Sequence, residues 1–184
     1  MTESISPLDW GPVSMIRRNH GLEHATINLL SQKYPARSFA GHSDRKGFWI
    51  AGEVSTDELA EVTQQALSRL NGGEHSLAIH AHCGTNAVTT GVVAGTVAWL
   101  ATLKTENNRK KKLDRWSWLI LLVTGAVIIT QPLGPIVQRE ITTSGIPGGL
   151  HITQITRYER TDSSRPTLHR VTTADAMPAE PTAA

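Results

Sequence analysis

Apolar residues recur every three to four positions between Met15 and Lys33, and this spacing predicts an α-helix. Ser14 is the expected N-cap, and Pro35 follows the end of the helix. On a helical wheel, one stripe mixes apolar and polar residues and should face the core of the protein. Its members are Ile16, His20, Glu23, His24, Ile27 and Leu30.

The pattern then changes from helical to strand-like and back. Residues 37–42 and 48–54 flank the turn-forming residues 43–47, which predicts a β-hairpin. Ser55 or Thr56 should cap a second helix, which Asn71-Gly72-Gly73 ends. Residues 76–82 alternate in polarity and are expected to form a third strand. The order α-β-β-α-β predicts a small α+β domain over residues 14–85, after a leader of residues 1–13.

Two long uncharged runs, residues 86–103 and 116–137, follow this domain. Each is close to the ~20 residues with which a helix crosses the ~30 Å hydrocarbon core of a bilayer. Trp99, Trp116 and Trp118 lie near the ends that the two runs share with their connecting loop, where membrane proteins collect aromatic residues. The runs predict a transmembrane hairpin over residues 86–137. The alternative is a pair of buried helices in a soluble protein.

The connecting loop, residues 104–115, carries six basic residues against Glu106 and Asp114. The positive-inside rule places such a loop in the cytoplasm, where it could also bind anionic lipid headgroups. This would leave the α+β domain outside, although Met1 to Asp9 shows no pattern of a cleavable signal peptide. The orientation of that domain is therefore left open.

The C-terminal residues return to strand-like composition. Residues 138–172 are predicted to contain two strands, Leu150 to Tyr158 and Leu168 to Thr172, joined by a turn at residues 161–165. This second hairpin is expected to pack on the N-terminal domain. Residues 173–184 are rich in alanine, proline and threonine, and we expect them to be disordered.

Composition excludes several classes of protein. The chain has 184 residues, a net charge of +2 and 39% hydrophobic residues, which argues against a dedicated nucleic-acid binder and against disorder throughout. The single cysteine, Cys83, excludes an internal disulfide. No phosphate-binding loop or dinucleotide-binding fingerprint is present.

The first helix contains the sequence H-x-x-E-H at His20, Glu23 and His24. Residues four apart lie on the same face of a helix, so the two imidazoles could hold one zinc ion. Glu23 beside them could act as a catalytic base that accepts a proton from a coordinated water. The alternative is a hydrogen-bond network in the core. Buried polar groups need partners, and hydrogen-bonding groups could serve in place of a metal ion.

A second group of metal-ligating residues ends the predicted third strand: His80, His82 and Cys83. Imidazole and thiolate are ligands that zinc prefers, so His80 and Cys83 are candidates to complete the site of His20 and His24. Alternatively, the two histidines face solvent and Cys83 is a small buried residue. Glu74 and His42 are further candidates.

Three stretches of the chain resemble an uncharacterised family of bacterial membrane proteins that is classed as a domain of unknown function. They are R-N-H-G-L-E-H-A-T-I at residues 18–27, G-H-S-D-R-K-G-F-W-I at 41–50 and G-E-H-S-L-A-I-H-A-H-C-G-T-N at 73–86. The resemblance extends over residues 15–155. It implies that the family pattern includes His20, Glu23, His24, His80 and the C-G-T-N sequence, and that the residue at the position of His82 varies. It implies no activity.

The succession of elements over residues 14–70 is also similar to the H-x-x-E-H unit of pitrilysin/insulinase-type metallopeptidases. This chain is far shorter, lacks a duplicated half and offers no clear distal glutamate ligand.

The sequence thus predicts an integral membrane protein with a zinc site, and zinc-dependent hydrolysis of a peptide near the membrane is one possible activity. A non-catalytic membrane module, in which the His/Glu cluster is a structural core, is the alternative, and an assembly factor acting through the basic loop is a third. The sequence identifies no protein partner.

Overall fold

The computed structural model describes residues 7–103, 109–159 and 166–175. Contacts within the chain divide it into two compact units. The first comprises Met1–His80 with Arg139–Ala184, and the second comprises Ala81–Gln138. The first unit is a mixture of helix and antiparallel sheet, which agrees with the predicted α+β class.

A four-stranded antiparallel sheet forms one layer of the first unit, in the order β1-β2-β4-β3. The strands are β1 (Ala40–Asp44), β2 (Gly47–Ala51), β3 (Leu150–Tyr158) and β4 (Leu168–Asp175). The predicted N-terminal hairpin is confirmed, with Asp44 opposite Gly47, whose φ of 136° suits glycine. The predicted C-terminal strands also pair, and β4 lies between β2 and β3.

Two helices, α1 (Gly11–Lys33) and α2 (Thr56–Asn71), pack on one face of this sheet. Alternate residues of the central strands point at them, because successive side chains of a strand face opposite sides. The buried core joins both layers and includes Leu22, Leu30, Phe48, Ile50, Leu59, Leu70 and Val171. The predicted cap of α2 is present as a capping box between Ser55 and Glu58.

The first helix differs from its prediction at its start and in its burial. It begins at Gly11, after Trp10 as N-cap, because Pro12 fits the first turn of a helix; Ser14 lies inside it. Residues outside the predicted stripe are also buried, so Leu22 and Thr26 are as enclosed as His24, whereas Ile16 of the stripe is 38% exposed. The helix contacts the sheet and also the segments around residues 75–79 and 142–145. These segments cover parts of the helix that the sheet does not reach.

The predicted third strand over residues 76–82 is wrong. A short 3₁₀ helix, His75–Ala78, occupies its start, and the remaining residues form no strand. The side chain of Asn28 donates to the carbonyls of Leu77 and Ile79, at 2.9 Å each. These carbonyls are therefore bound to α1 rather than to a neighbouring strand, and the alternating sequence pattern does not reveal that.

The second unit is helical in the part of the chain that the structure describes. It contains α3 (Gly84–Thr102), α4 (Arg109–Thr130) and α5 (Leu133–Val137), and a π-helical turn, Gln138–Thr142, follows. The second uncharged run is thus divided at Pro132, since proline has no N–H to continue a helix. No single described helix meets the length and hydropathy of a membrane span, whereas the bent pair Arg115–Thr130 and Leu133–Thr142 meets them together.

Several predicted segments differ from the structure in their bounds. The last strand continues to Asp175, so residues 173–175 of the predicted disordered tail belong to the sheet. The predicted turn at residues 161–165, residues 104–108 of the basic loop and residues 176–184 of the tail lie outside the described residues.

Candidate metal centre

His20 and His24 lie one turn apart on α1 with their rings in edge contact, 4.3 Å between centroids. Each ring presents a ligand nitrogen, and these two atoms lie within 4.8 Å of each other, so they could hold one metal ion. His24 is 2% exposed, and His20 is half-buried. The pair therefore lies at the border between the core and the surface of the first unit.

Backbone carbonyls orient both rings. His20 Nδ1 lies 2.9 Å from the carbonyl oxygen of Thr142, and His24 Nδ1 lies 2.8 Å from that of Ala78. A carbonyl oxygen can only accept a hydrogen bond, so each Nδ1 must carry the proton and donate. In a neutral ring this leaves the lone pair on Nε2. The same arrangement is usual around metal-bound histidines, where it fixes the tautomer and the direction of the ring.

Two features of α1 bring those carbonyls into place. Asn28 holds the segment that contains Ala78 through its bonds to the flanking carbonyls. On the other side, Gly21 allows close approach of the segment after the π-helical turn, since a Cβ at this glycine would collide with the carbonyl of Ser144. Ser144 N also donates to the carbonyl of Arg17, at 2.9 Å.

His80 lies beside this pair, with its ring centroid 5.6 Å from that of His24. It is half-buried and lies two residues after the 3₁₀ helix. The first unit thus brings the ligand nitrogens of His20 and His24 within reach of one ion and places the ring of His80 beside that of His24.

Glu23 is 3% exposed and turns toward the inner face of β1. Ser43 Oγ donates a short hydrogen bond to its Oε2. Gly41, two residues earlier on the same strand, leaves room for the carboxylate, because a Cβ there would overlap it. The hydroxyl of Ser43 therefore binds the Glu23 carboxylate, and Gly41 leaves the space that this carboxylate occupies.

Burial raises the pKa of the Glu23 carboxyl, and three neighbours act against that rise. The Ser43 hydroxyl favours the ionised form by hydrogen bonding, and a positive charge on the imidazole of His20 or of His42 favours it electrostatically. His42 is exposed on β1, so its effect on Glu23 is electrostatic.

The other candidates have different positions. Glu74 is exposed and forms an ion pair with Arg69, whose Nε lies 3.0 Å from Oε1. Cys83 belongs to the second unit and is the N-cap of α3; its Sγ accepts from Thr85 N at 3.4 Å. His82 is exposed in the same unit. The ligand role of Cys83 stays a prediction from its place three residues after His80.

Sequence reasoning missed the partners that fix the site. Gly41 lies in a predicted strand and Ser43 in a predicted turn, and no role is predicted for Asn28. Ala78 and Thr142 contribute backbone atoms, which no side-chain pattern reveals. Only the coincidence of glycine and serine at alternate positions of β1 gave a signal, and it is a weak one.

A family model for a domain of unknown function, DUF6391, matches residues 15–155 of the chain. The chain belongs to this family. The matched range contains His20, Glu23, His24, His80 and Cys83, together with Ala78 and Thr142, whose carbonyls accept hydrogen bonds from the histidine rings.

The chain is also similar to an uncharacterized protein of Picosynechococcus sp. (strain ATCC 27264 / PCC 7002 / PR-6). The two are 34% identical over 91% of this chain and 85% of the relative. No solved structure matches the chain. The resemblance to a family classed as a domain of unknown function is thus confirmed. These comparisons assign no activity.

Proposed function

We propose that this DUF6391 protein is anchored in a membrane and binds a zinc ion in its first unit, where it catalyses hydrolysis. The observation that carries the proposal is the pair of Nδ1-to-carbonyl contacts, which leaves Nε2 of His20 and of His24 as the ligand atoms. A peptide bond close to the membrane surface is the substrate class that the H-x-x-E-H arrangement favours.

The ligand set would consist of His20 and His24, with His80 beside His24 as the third ligand. Cys83, three residues after His80 in the sequence, is the candidate for a fourth ligand. Three protein ligands would leave a coordination position open, as in catalytic zinc sites, whereas four would close the shell, as in structural ones. Imidazole with or without thiolate suits zinc better than calcium or magnesium, which prefer oxygen. Zinc, when bound, would make a coordinated water acidic enough to ionise near neutral pH.

The role of Glu23 would be to accept the proton of that water. It directly precedes the second histidine of α1, and Ser43 fixes its carboxylate through the hydrogen bond to Oε2. Gly41 and His42 are exposed on the strand over this carboxylate, so a substrate would approach along β1.

A non-catalytic function is the second candidate, and the burial of Glu23 favours it. A carboxylate that is 3% exposed and already hydrogen-bonded can serve as a fixed part of the core. Under this alternative the first unit would be a structural, metal-bound or hydrogen-bonded module.

The membrane part of the proposal is supported by the apolar surface of the second unit. Large apolar side chains are exposed on both long helices, among them Trp99, Leu100, Trp116, Trp118, Ile120, Leu121, Ile128 and Ile129. Soluble proteins rarely leave extended apolar patches of this kind in water. The bent pair of helices has the length and composition to cross a bilayer.

Replacement of Glu23 by glutamine separates the two candidates. If Glu23 accepts a proton, Glu23→Gln should keep its zinc and its melting temperature and lose about two to four orders of magnitude in peptide hydrolysis. The assay is cleavage of a fluorogenic peptide library by the zinc-loaded full-length protein in detergent. Glu61→Gln, at an exposed position of α2, is the matched control and should behave as wild type.

A structural role predicts a different result. Glu23→Gln would then lower the free energy of unfolding by about 1–3 kcal/mol, because a buried hydrogen bond is altered. Wild-type protein that binds zinc but cleaves no member of the library, together with such a loss of stability, would contradict the hydrolase proposal.

A further inference from the structure

The second unit contains a cavity of about 370 Å³ between the end of α3 and the start of α4. Its walls are mainly apolar and are formed by Ala101, Thr102, Arg115, Trp116, Trp118, Leu119 and Leu122. Trp116 and Trp118 are 61% and 67% exposed, so two indole rings lie open at the cavity. Cavities that bind organic ligands begin at about this size.

Arg115 places one positive charge in the wall of this cavity. The guanidinium of Arg115 donates from Nε and Nη2 to the carbonyl of Ala101, at 3.2 and 2.6 Å, which holds it at the cavity wall. In the sequence, Lys111 and Lys112 come shortly before Arg115. Within α4, a basic first part is therefore followed directly by an apolar part with two tryptophans.

This order is complementary to an amphiphile with a negative head and an apolar tail. Tryptophan is typical of the level where lipid headgroups meet the acyl chains, and basic residues beside it attract anionic lipids. A soluble anion would use the charges without the apolar wall, and an uncharged apolar ligand would use the wall without the charges.

We infer that this cavity binds one anionic phospholipid, with an acyl chain against Trp116, Trp118 and Leu122 and the headgroup phosphate near Arg115. The inference rests on the proposed membrane location, because a bilayer supplies the ligand. It makes the Arg115 end of the cavity a site that selects lipids by their charge.

Quenching of tryptophan fluorescence by brominated lipids tests the inference on the full-length protein in nonionic detergent micelles. Phosphatidylglycerol with brominated acyl chains should reach half-maximal quenching at a roughly tenfold lower mole fraction than brominated phosphatidylcholine. The double variant Trp116→Phe/Trp118→Phe should lose the selective part of the quenching, because Trp10, Trp49 and Trp99 lie outside the cavity lining.

Charge variants identify the source of the selectivity. Arg115→Gln should bring the two lipids close to equal quenching. Arg45→Gln removes the same charge from the β1–β2 turn of the first unit and should preserve the preference. Equal quenching of wild type by both lipids, or an unchanged preference in Arg115→Gln, would overturn the inference.

The micelle assay does not require that the protein crosses a bilayer. Release of the protein from membranes by carbonate would count against the membrane anchor alone. Absence of lipid selectivity in micelles would count against this cavity alone, so the two failures are distinguishable.

Discussion

At the scale of single residues, the tautomers of His20 and His24 are decided by carbonyls from two distant parts of the chain. The H-x-x-E-H spacing predicted that the two rings share a helix face, and the structure places them 4.3 Å apart. The spacing could not predict which ring nitrogen would be free of a proton and available to a metal ion, since Thr142 and Ala78 contribute backbone atoms. Helical periodicity determines proximity within α1, and only long-range packing determines the proton positions.

Glu23 shows the same division between local and long-range information. Its place beside the histidines follows from the sequence of α1. Its contact with Ser43 and its fit over Gly41 follow from the pairing of helix and strand, which brings β1 across it.

His169 provides a pH-dependent prediction at this scale. Its side chain is fully buried on β4, and Nε2 lies 3.2 Å from Thr56 Oγ1. Among the described residues, Nδ1 has no hydrogen-bond partner. Burial lowers the pKa of His169, and the positive charge of Arg157 lowers it further. The folded protein therefore resists protonation at this residue.

Lowering the pH through about 6.5, the ordinary pKa of an unfolded histidine, should destabilise the protein. The unfolded chain binds a proton there, whereas folded His169 does so only at lower pH, so stability falls as pH falls. Urea denaturation of metal-free protein between pH 7.5 and 5.5 measures this. His169→Gln should weaken the dependence, and exposed His151→Gln should leave it unchanged; equal slopes in wild type and His169→Gln would contradict the assignment.

At the scale of elements, the predictions succeeded where local chemistry determines the outcome. Turn residues predicted the β1–β2 hairpin, and the capping sequence at Ser55 predicted the start of α2. They failed at residues 76–82, whose alternating pattern resembles a strand. There the carbonyls of three successive residues, Leu77, Ala78 and Ile79, are bound by two side chains of α1. A tertiary contact of this kind outweighs a weak local preference.

Asn28 should therefore control both the segment and the site. Asn28→Ala removes the donor to two carbonyls and should lower the free energy of unfolding by about 1–3 kcal/mol. Because Ala78 orients His24, zinc affinity should also fall by roughly 10- to 100-fold. Competition with a fluorescent zinc chelator measures the affinity. Asn71→Ala, at the exposed end of α2, is the control; unchanged affinity in Asn28→Ala would show that the segment does not position the ring.

At the scale of the whole molecule, the first unit depends on strands from both ends of the chain. The C-terminal strand β4 is central in the sheet, and Val171 belongs to the core with Phe48 and Ile50. Strand composition predicted that a second hairpin returns to the N-terminal domain, and the structure confirms it. The order of strands was not predictable. Alternating polarity shows which face of a strand is buried, but it does not show which strands pair with each other.

The second unit leads to a prediction about the location of the protein. If its apolar helices lie in a bilayer, the protein should remain in the membrane fraction after a wash with alkaline carbonate, because hydrophobic contact with lipid does not depend on charge. A peripheral membrane protein that carbonate releases is the control. Recovery of this protein in the soluble fraction would contradict the membrane anchor.

The central claim is a metal site built on the two histidines of α1, and zinc stoichiometry tests it most directly. Mass spectrometry of the full-length protein, after dialysis against a low zinc concentration, should find about one zinc per chain, since the proposed site holds one ion. His20→Gln and His24→Gln should each lose most of this zinc.

The matched control is His75→Gln. Its Nδ1 also lies close to a backbone carbonyl, 2.7 Å from Gly145 O, but His75 is exposed and is not one of the proposed ligands. This variant should retain the zinc of wild type. Wild-type protein without zinc, or equal zinc in all three variants, would contradict the account.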